Sequence, residues 1–173
     1  WRQLEFCWEF LMYKIVENFI TNVDDIMLQV KEHEAQGKFT NRGIGGAEKH
    51  GTKYGESHFR SLFQKNMSNE LVETIWNTIP EERKWCSQVV VNKYQPGDWL
   101  VKHQDSAAGY WKFKLVFLTE GNPHFKYWDE EDREHLVQEK KGAMFDMPIK
   151  TWHEVTKMEE GEEPKYSLCL IWE

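Results

Sequence analysis

The sequence predicts a mainly β domain, with N-terminal helices supporting a double-sheet jelly roll of the cupin kind. Three observations predict it. Two stretches in the first half carry apolar residues at helical spacing. From residue 88 onward, short apolar or alternating runs follow one another, separated by Gly and Pro turn signals. The two helical signals are followed by many short strand signals, which suggests an all-β core with helical support.

Residues 13–19 read as a short strand entering a turn. Thr21 then precedes an amphipathic stretch, with Asp24 three residues later as a capping-box signature. Val23, Met27 and Val30 share one face, and the helix is expected to end near Gly37. Residues 39–58 contain Gly43, Gly45, Gly46, Gly51 and Gly55 and read as a long loop, a candidate lid. No GKS or GKT follows these glycines, so a phosphate loop is excluded. A second helix starts near Ser68, with Leu71, Val72, Ile75 and Trp76 as its apolar face and Pro80 as its stop. The strand-rich part follows. Residues 89–91 are β-branched, and Pro96–Gly97 marks a turn. Residues 111–119 alternate, with Phe113, Leu115 and Phe117 on one face. Further strands are expected at 124–128, 136–138, 143–147, 154–156 and 166–172. No repeat or linker appears, so residues 1–173 form a single domain. Residues 1–87 supply helical support and the Gly-rich loop, and residues 88–173 supply the jelly-roll core.

The 173-residue length suits one sizeable core. Nine tryptophans read chiefly as core rings. The net charge of −7 argues against a broad phosphate-binding face, although Lys49, Lys53, Arg60 and Lys65 lie near one another in sequence. Cys7, Cys86 and Cys169 are scattered and no CxxC occurs, which fits a reducing, cytoplasmic compartment. No apolar run approaches the roughly 20 residues of a membrane span, so no membrane partner is expected. The opening segment, 1–13, lacks a basic start and a small-residue cleavage site and does not read as a signal peptide.

The chemistry-bearing pattern is His103-Gln104-Asp105 with His153 about fifty residues later. Two imidazoles and one carboxylate on one face of a metal leave positions open for a co-substrate and dioxygen, the donor set suited to non-haem iron(II). His103 and Asp105 are two apart, so a regular strand would present them on one face. The other histidines, His33, His50, His58, His124 and His135, read as surface or loop residues. Tyr110 and Trp111 either line a substrate mouth or join the core.

Three segments, NKYQPGDWLVKHQD (92–105), GAMFDMPIKTWHEVT (142–156) and KYSLCLIW (165–172), together resemble the iron(II)/2-oxoglutarate-dependent dioxygenases. The resemblance covers the chain from Val89 onward and implies the double-stranded β-helix form of the jelly roll. It implies His103, Asp105 and His153 as iron ligands and Lys165 as the cation for the far carboxylate of 2-oxoglutarate. Tyr94, Asn92 and Ser167 are implied as its other partners. It implies Fe(II), 2-oxoglutarate and O2 as cofactor and co-substrates, and hydroxylation of a C–H bond with release of succinate and CO2. Two branches compete. The run from Asn92 to Asp105 looks like AlkB-type nucleic-acid demethylases, yet the last strand, SLCLIW, lacks that group's second arginine. HEVTKMEEG and the Lys165 to Trp172 ending look like the prolyl-hydroxylase group. Gly121-Asn122-Pro123 stands near the place of that group's Gly-Gly pair, which is absent. The substrate expected is a peptide side chain, an amino acid or a small molecule, with a nucleic-acid base as the alternative. A metal-binding cupin without oxygenase activity is the third reading; it has no need of the Lys165 clamp.

Overall fold

The computed structural model describes residues 13–42, 57–79, 88–105, 112–148 and 150–172. Pro80, Tyr110, Trp111, the side chain of Phe113 and most of the Gly-rich segment, 43–56, lie outside the described residues. In chain order the elements are β1 (Lys14–Val16), α1 (Val23–Ala35), β2 (Thr40–Arg42), β3 (Phe59–Phe63), α2 (Asn69–Thr78), β4 (Gln88–Tyr94), β5 (Leu100–His103), β6 (Lys112–Phe117), β7 (Phe125–Trp128), β8 (Glu134–Leu136), β9 (Met144–Asp146), β10 (Trp152–Val155) and β11 (Lys165–Trp172).

Among the described residues the strands form two antiparallel sheets. The larger has the order β1-β9-β6-β11-β4-β3-β2 and the smaller β5-β10-β7-β8. This is the expected jelly roll. β11 lies inside the large sheet, paired with β4 on one side and β6 on the other. Its even-numbered residues, Tyr166, Leu168, Leu170 and Trp172, join a core with Val23, Ile26 and Val30 of α1 and Leu71 and Ile75 of α2. Cys169 and Ile171 join a second core between the sheets, with Tyr94, Leu115, Phe117, Phe125 and Phe145. The strand period of two thus divides one sequence run between two cores.

The helices differ from expectation at their starts. α1 is capped by Asn22, one residue after Thr21, with no side-chain cap bond. The Thr21/Asp24 box therefore does not form. Asp24 and Asp25 instead occupy the first turn, where the helix dipole favours negative charge. α2 is capped as expected, the Ser68 hydroxyl accepting from Leu71 N at 3.2 Å. His33 is buried, not on the surface. Its Nδ1 donates to the Gln29 carbonyl at 2.8 Å, and its Nε2 accepts from Ser68 N at 2.8 Å, joining the two helices. β2, β3 and β5 have no counterpart among the sequence-based strands. β8 lies two residues earlier than expected, and β10 begins at Trp152, which places His153 within a strand.

Two contacts fix α1 on the large sheet. Gly142 N donates to Phe117 O, while Gly142 O accepts from Ile20 N at 3.1 Å. Gly142 has φ +79°, and a Cβ there would lie 2.5 Å from the Ile20 carbonyl oxygen. Near the other end of α1, Glu34 accepts from Lys93 and, at 2.7 Å, from the Tyr166 hydroxyl. Burial pushes the Glu34 carboxyl up, but hydrogen bonds from Lys93 and Tyr166 and the charges of Lys93 and Lys31 outweigh it and hold it down at about 2.

Gly142→Ala should therefore destabilise the fold by about 1–3 kcal/mol in urea unfolding, through both the positive φ and the blocked approach of Ile20. Glu34 has a folded pKa below its ordinary 4.5. Its contribution is complete above pH 4.5 and is lost as pH falls towards 2. Unfolding measured across that window should show a steeper acid loss in the parent than in Glu34→Gln, which starts less stable.

Candidate metal centre

His103 and His153 stand directly opposite each other on β5 and β10. The next pair along is Leu100 and Val155, so β5 takes three steps where β10 takes two. A regular strand would turn Leu100 and His103 to opposite faces. The extra residue in β5 is a bulge that allows both to be buried on the inside. Asp105 lies just past the end of β5, so it shares the histidines' side through the loop and not through strand alternation. Gln104 anchors that loop by donating from Nε2 to the Lys150 carbonyl.

The three side chains converge. Asp105 Oδ1 lies 3.7 Å from His103 Nε2, and Asp105 Oδ2 lies 3.5 Å from His153 Nε2. One ligand atom from each residue falls within 4.8 Å of the others. The imidazoles are oriented from behind. His103 Nδ1 meets the Val101 carbonyl at 2.8 Å and His153 Nδ1 the Thr151 carbonyl at 2.9 Å. A carbonyl can only accept, so each Nδ1 carries the proton and each Nε2 presents a lone pair towards Asp105. Two imidazole lone pairs and a carboxylate pointing at one another repel unless a cation sits among them. The donor set therefore fits a divalent ion, and backbone carbonyls behind the ligands are the usual means of fixing such histidines. Burial, then the neighbouring His103, brings the His153 pKa down to about 4 against the opposing pull of Asp105, so the ring is a neutral ligand near pH 7. Phe125 packs 5.6 Å from the His153 ring, centroid to centroid, and closes the inter-sheet side with Phe117 and Phe145.

The other four sequence-based candidates meet on the large sheet. Lys165 is opposite Tyr94, and Ser167 is opposite Asn92, one rung pair further along β11 and β4. By strand alternation all four take the face of Cys169 and Val90, which belong to the inter-sheet core. Tyr94 is buried and stacks on Phe59 with ring centroids 5.2 Å apart. Asn92 accepts from the Ser61 hydroxyl at 2.7 Å and donates to Cys169 Sγ at 3.3 Å. Burial, reinforced by the Asp105 charge, pushes the Cys169 thiol far up, so it stays protonated. Lys165 is buried but not solitary. Its ammonium lies 2.8 Å from Glu139 Oε2 and also donates to the Asn122 carbonyl.

Sequence reasoning missed Ser61 and Glu139. Ser61 sits in the unrecognised strand β3, and Glu139 lies twenty-six positions from Lys165, with no local pattern to join them. Of the remaining described histidines, His124 is buried, contrary to expectation, and His58 and His135 are part-exposed, each with a partner outside the triad. His124 is buried against Thr156 and Glu162, while His58 and His135 pair with Asp98 and Asp129. His50 lies outside the described residues, as do Lys49 and Lys53.

No family model matches the chain, and no curated protein matches it. Solved structures do. A prolyl-4-hydroxylase from Pseudomonas putida shares 12% identity, with 92% of this chain and 91% of that one covered and a TM-score of 0.69. A Trichoplax adhaerens prolyl hydroxylase, solved with a hypoxia-inducible-factor peptide fragment, shares 13%, with 94% and 84% covered and a TM-score of 0.74. The α-ketoglutarate-dependent carbocyclase SnoK of nogalamycin biosynthesis shares 11%, with 92% and 78% covered and a TM-score of 0.70. At these identities the likeness is one of fold, the jelly roll of 2-oxoglutarate–Fe(II) oxygenases.

Calorimetric titration with Mn(II) or Co(II) should show binding of a single ion by the parent chain. His153→Ala and Asp105→Ala should each weaken it beyond the roughly 10–100-fold that losing an outer hydrogen bond costs.

Proposed function

We propose that this chain is an Fe(II)- and 2-oxoglutarate-dependent dioxygenase that hydroxylates a C–H bond of a peptide side chain, an amino acid or a small molecule. The observation that carries the reading is the convergence of His103, Asp105 and His153, with each Nδ1 committed to a backbone carbonyl, inside a jelly roll of the oxygenase type. The overall reaction consumes substrate, O2 and 2-oxoglutarate and yields hydroxylated substrate, succinate and CO2.

Bound iron(II) supplies the activation of dioxygen, with oxidative decarboxylation of the 2-oxo acid providing two of the electrons. The protein's residues do the rest. His103, Asp105 and His153 would hold the ion through two imidazoles and one carboxylate, a donor set that suits iron(II). Lys165 receives the far carboxylate of 2-oxoglutarate, and Tyr94, Asn92 and Ser167 form a polar strip beside it on the same face of the large sheet. Phe117, Phe125 and Phe145 line the adjoining core and keep it dry, which strengthens every charged contact made there.

Among the described residues no helix is long and apolar enough to cross a membrane. The net charge of −7 favours a peptide or small molecule over a phosphate backbone as substrate. The Trichoplax neighbour, solved with a peptide, and SnoK, a carbocyclase, give the range of chemistry within which this chain's substrate is to be sought.

Anaerobic addition of 2-oxoglutarate to the Fe(II)-loaded parent should produce a metal-to-ligand absorption band. Under air with ascorbate, the same sample should release succinate. Both signals should vanish in folded His153→Ala, and Lys165→Ala should raise the 2-oxoglutarate concentration needed for either. Metal-loaded parent protein that gives neither signal would refute the assignment and leave a metal-binding jelly roll.

A further inference from the structure

The cation of the co-substrate subsite comes with its own counter-ion. The side chains of Lys165 and Glu139 are each 7% exposed, with 2.8 Å between Nζ and Oε2. Glu139 is not a mobile partner. Its other oxygen, Oε1, accepts from His124 N at 2.7 Å and Phe125 N at 2.9 Å, at the entry to β7. Both carboxylate oxygens are therefore engaged, and the side chain is held where it stands. Lys165 is held equally firmly. A second hydrogen bond runs to the Asn122 carbonyl, and a Cβ placed on Gly121 would touch the lysine stem at 3.8 Å. Asn122 is itself fixed by donating to Glu162 at 2.7 Å.

An ammonium has three hydrogens. Two are directed to Glu139 and Asn122, so an arriving carboxylate meets one remaining donor. It also meets an ion pair of net charge zero. In a dry site Glu139 offsets much of the attraction that Lys165 exerts on a second negative group, although the ammonium, as the donor, stays the nearer charge. Asn92, Tyr94 and Ser167, by contrast, are neutral and do not distinguish an anionic tail from an uncharged polar one.

We propose that Glu139 is the specificity-determining residue for the far end of the 2-oxo acid. By neutralising Lys165 it makes the subsite discriminate weakly between a dicarboxylic 2-oxo acid and a monocarboxylic one of the same length. This rests on the co-substrate reading above and adds to it a residue from outside the family-like segments. Glu139→Gln tests it directly. The amide oxygen can keep both backbone hydrogen bonds, while the amide nitrogen, itself a donor, gives up the hydrogen bond from Lys165 and no longer offsets its charge.

The experiment is an anaerobic titration of the Fe(II)-loaded full chain with 2-oxoglutarate and, separately, 2-oxopentanoate, read by the metal-to-ligand absorption band. In the parent, 2-oxoglutarate should bind no more than about tenfold more tightly than 2-oxopentanoate. In Glu139→Gln, the 2-oxoglutarate affinity should rise about tenfold or more, with 2-oxopentanoate changed by less than about threefold. A parent preference of about a hundredfold or more for 2-oxoglutarate overturns the inference, and so does weaker 2-oxoglutarate binding in the variant, which would make Glu139 a simple brace for Lys165. The parent ratio needs no variant, so it decides the matter even if Glu139→Gln does not fold. Metal-loaded parent that gives no band with either acid overturns the co-substrate reading itself, and Glu139 falls with it. A band with both acids leaves that reading standing whichever way Glu139 is decided.

Discussion

β11 is hydrogen-bonded along both edges, and its alternation governs what the rest of the molecule can do. Even-numbered residues carry the core beneath the helices, and odd-numbered residues face the small sheet. A slip of one residue against β4 would bury Lys165 among the helices and turn Tyr166 into the inter-sheet space. That register is supported on the helical side by the Lys93–Glu34–Tyr166 cluster, in which the paired residues Lys93 of β4 and Tyr166 of β11 both bond to Glu34 of α1. The polar strip on one face is thus held in register by a charged cluster on the other.

The two sheets contribute different things to the proposed site. The small sheet brings His103 and His153 together by direct pairing and fixes their rings through carbonyls two residues upstream. The large sheet supplies the paired rungs Lys165–Tyr94 and Ser167–Asn92. Residues some seventy positions apart become neighbours because β4 and β11 are antiparallel. The connections between sheets add the last component, since Glu139 and Asn122 both reach Lys165 from segments that flank β7 and β8.

Much of this was legible in the sequence, and the exceptions have physical causes. β4, β6 and β11 are long, apolar and β-branched or alternating, so local pattern was enough. β5 reads poorly because its bulge breaks the period of two, and β3 because Arg60 and Ser61 interrupt its apolar residues. His103, Asp105 and His153 stood out through the segments around them and the resemblance those carry more than through their own spacing, and the reason they meet is partly different: Asp105 joins through a loop, not by strand alternation. His33 looked like a surface residue because helical periodicity says nothing of the Ser68 amide waiting on another helix. Glu139 was invisible because its significance lies wholly in a long-range contact.

The bulge in β5 also bears on how such a site can persist. It is one residue of slack in a strand only four residues long. Removing that residue would leave Leu100 and His103 two apart, so a regular strand would still turn both inward and the ligand would keep its place opposite His153. The bulge therefore absorbs a one-residue change in strand length that an unbulged pairing would convert into an outward-facing His103. A lineage could lengthen or shorten this edge strand by one codon and inherit both the ligand set and the hydrophobic framework.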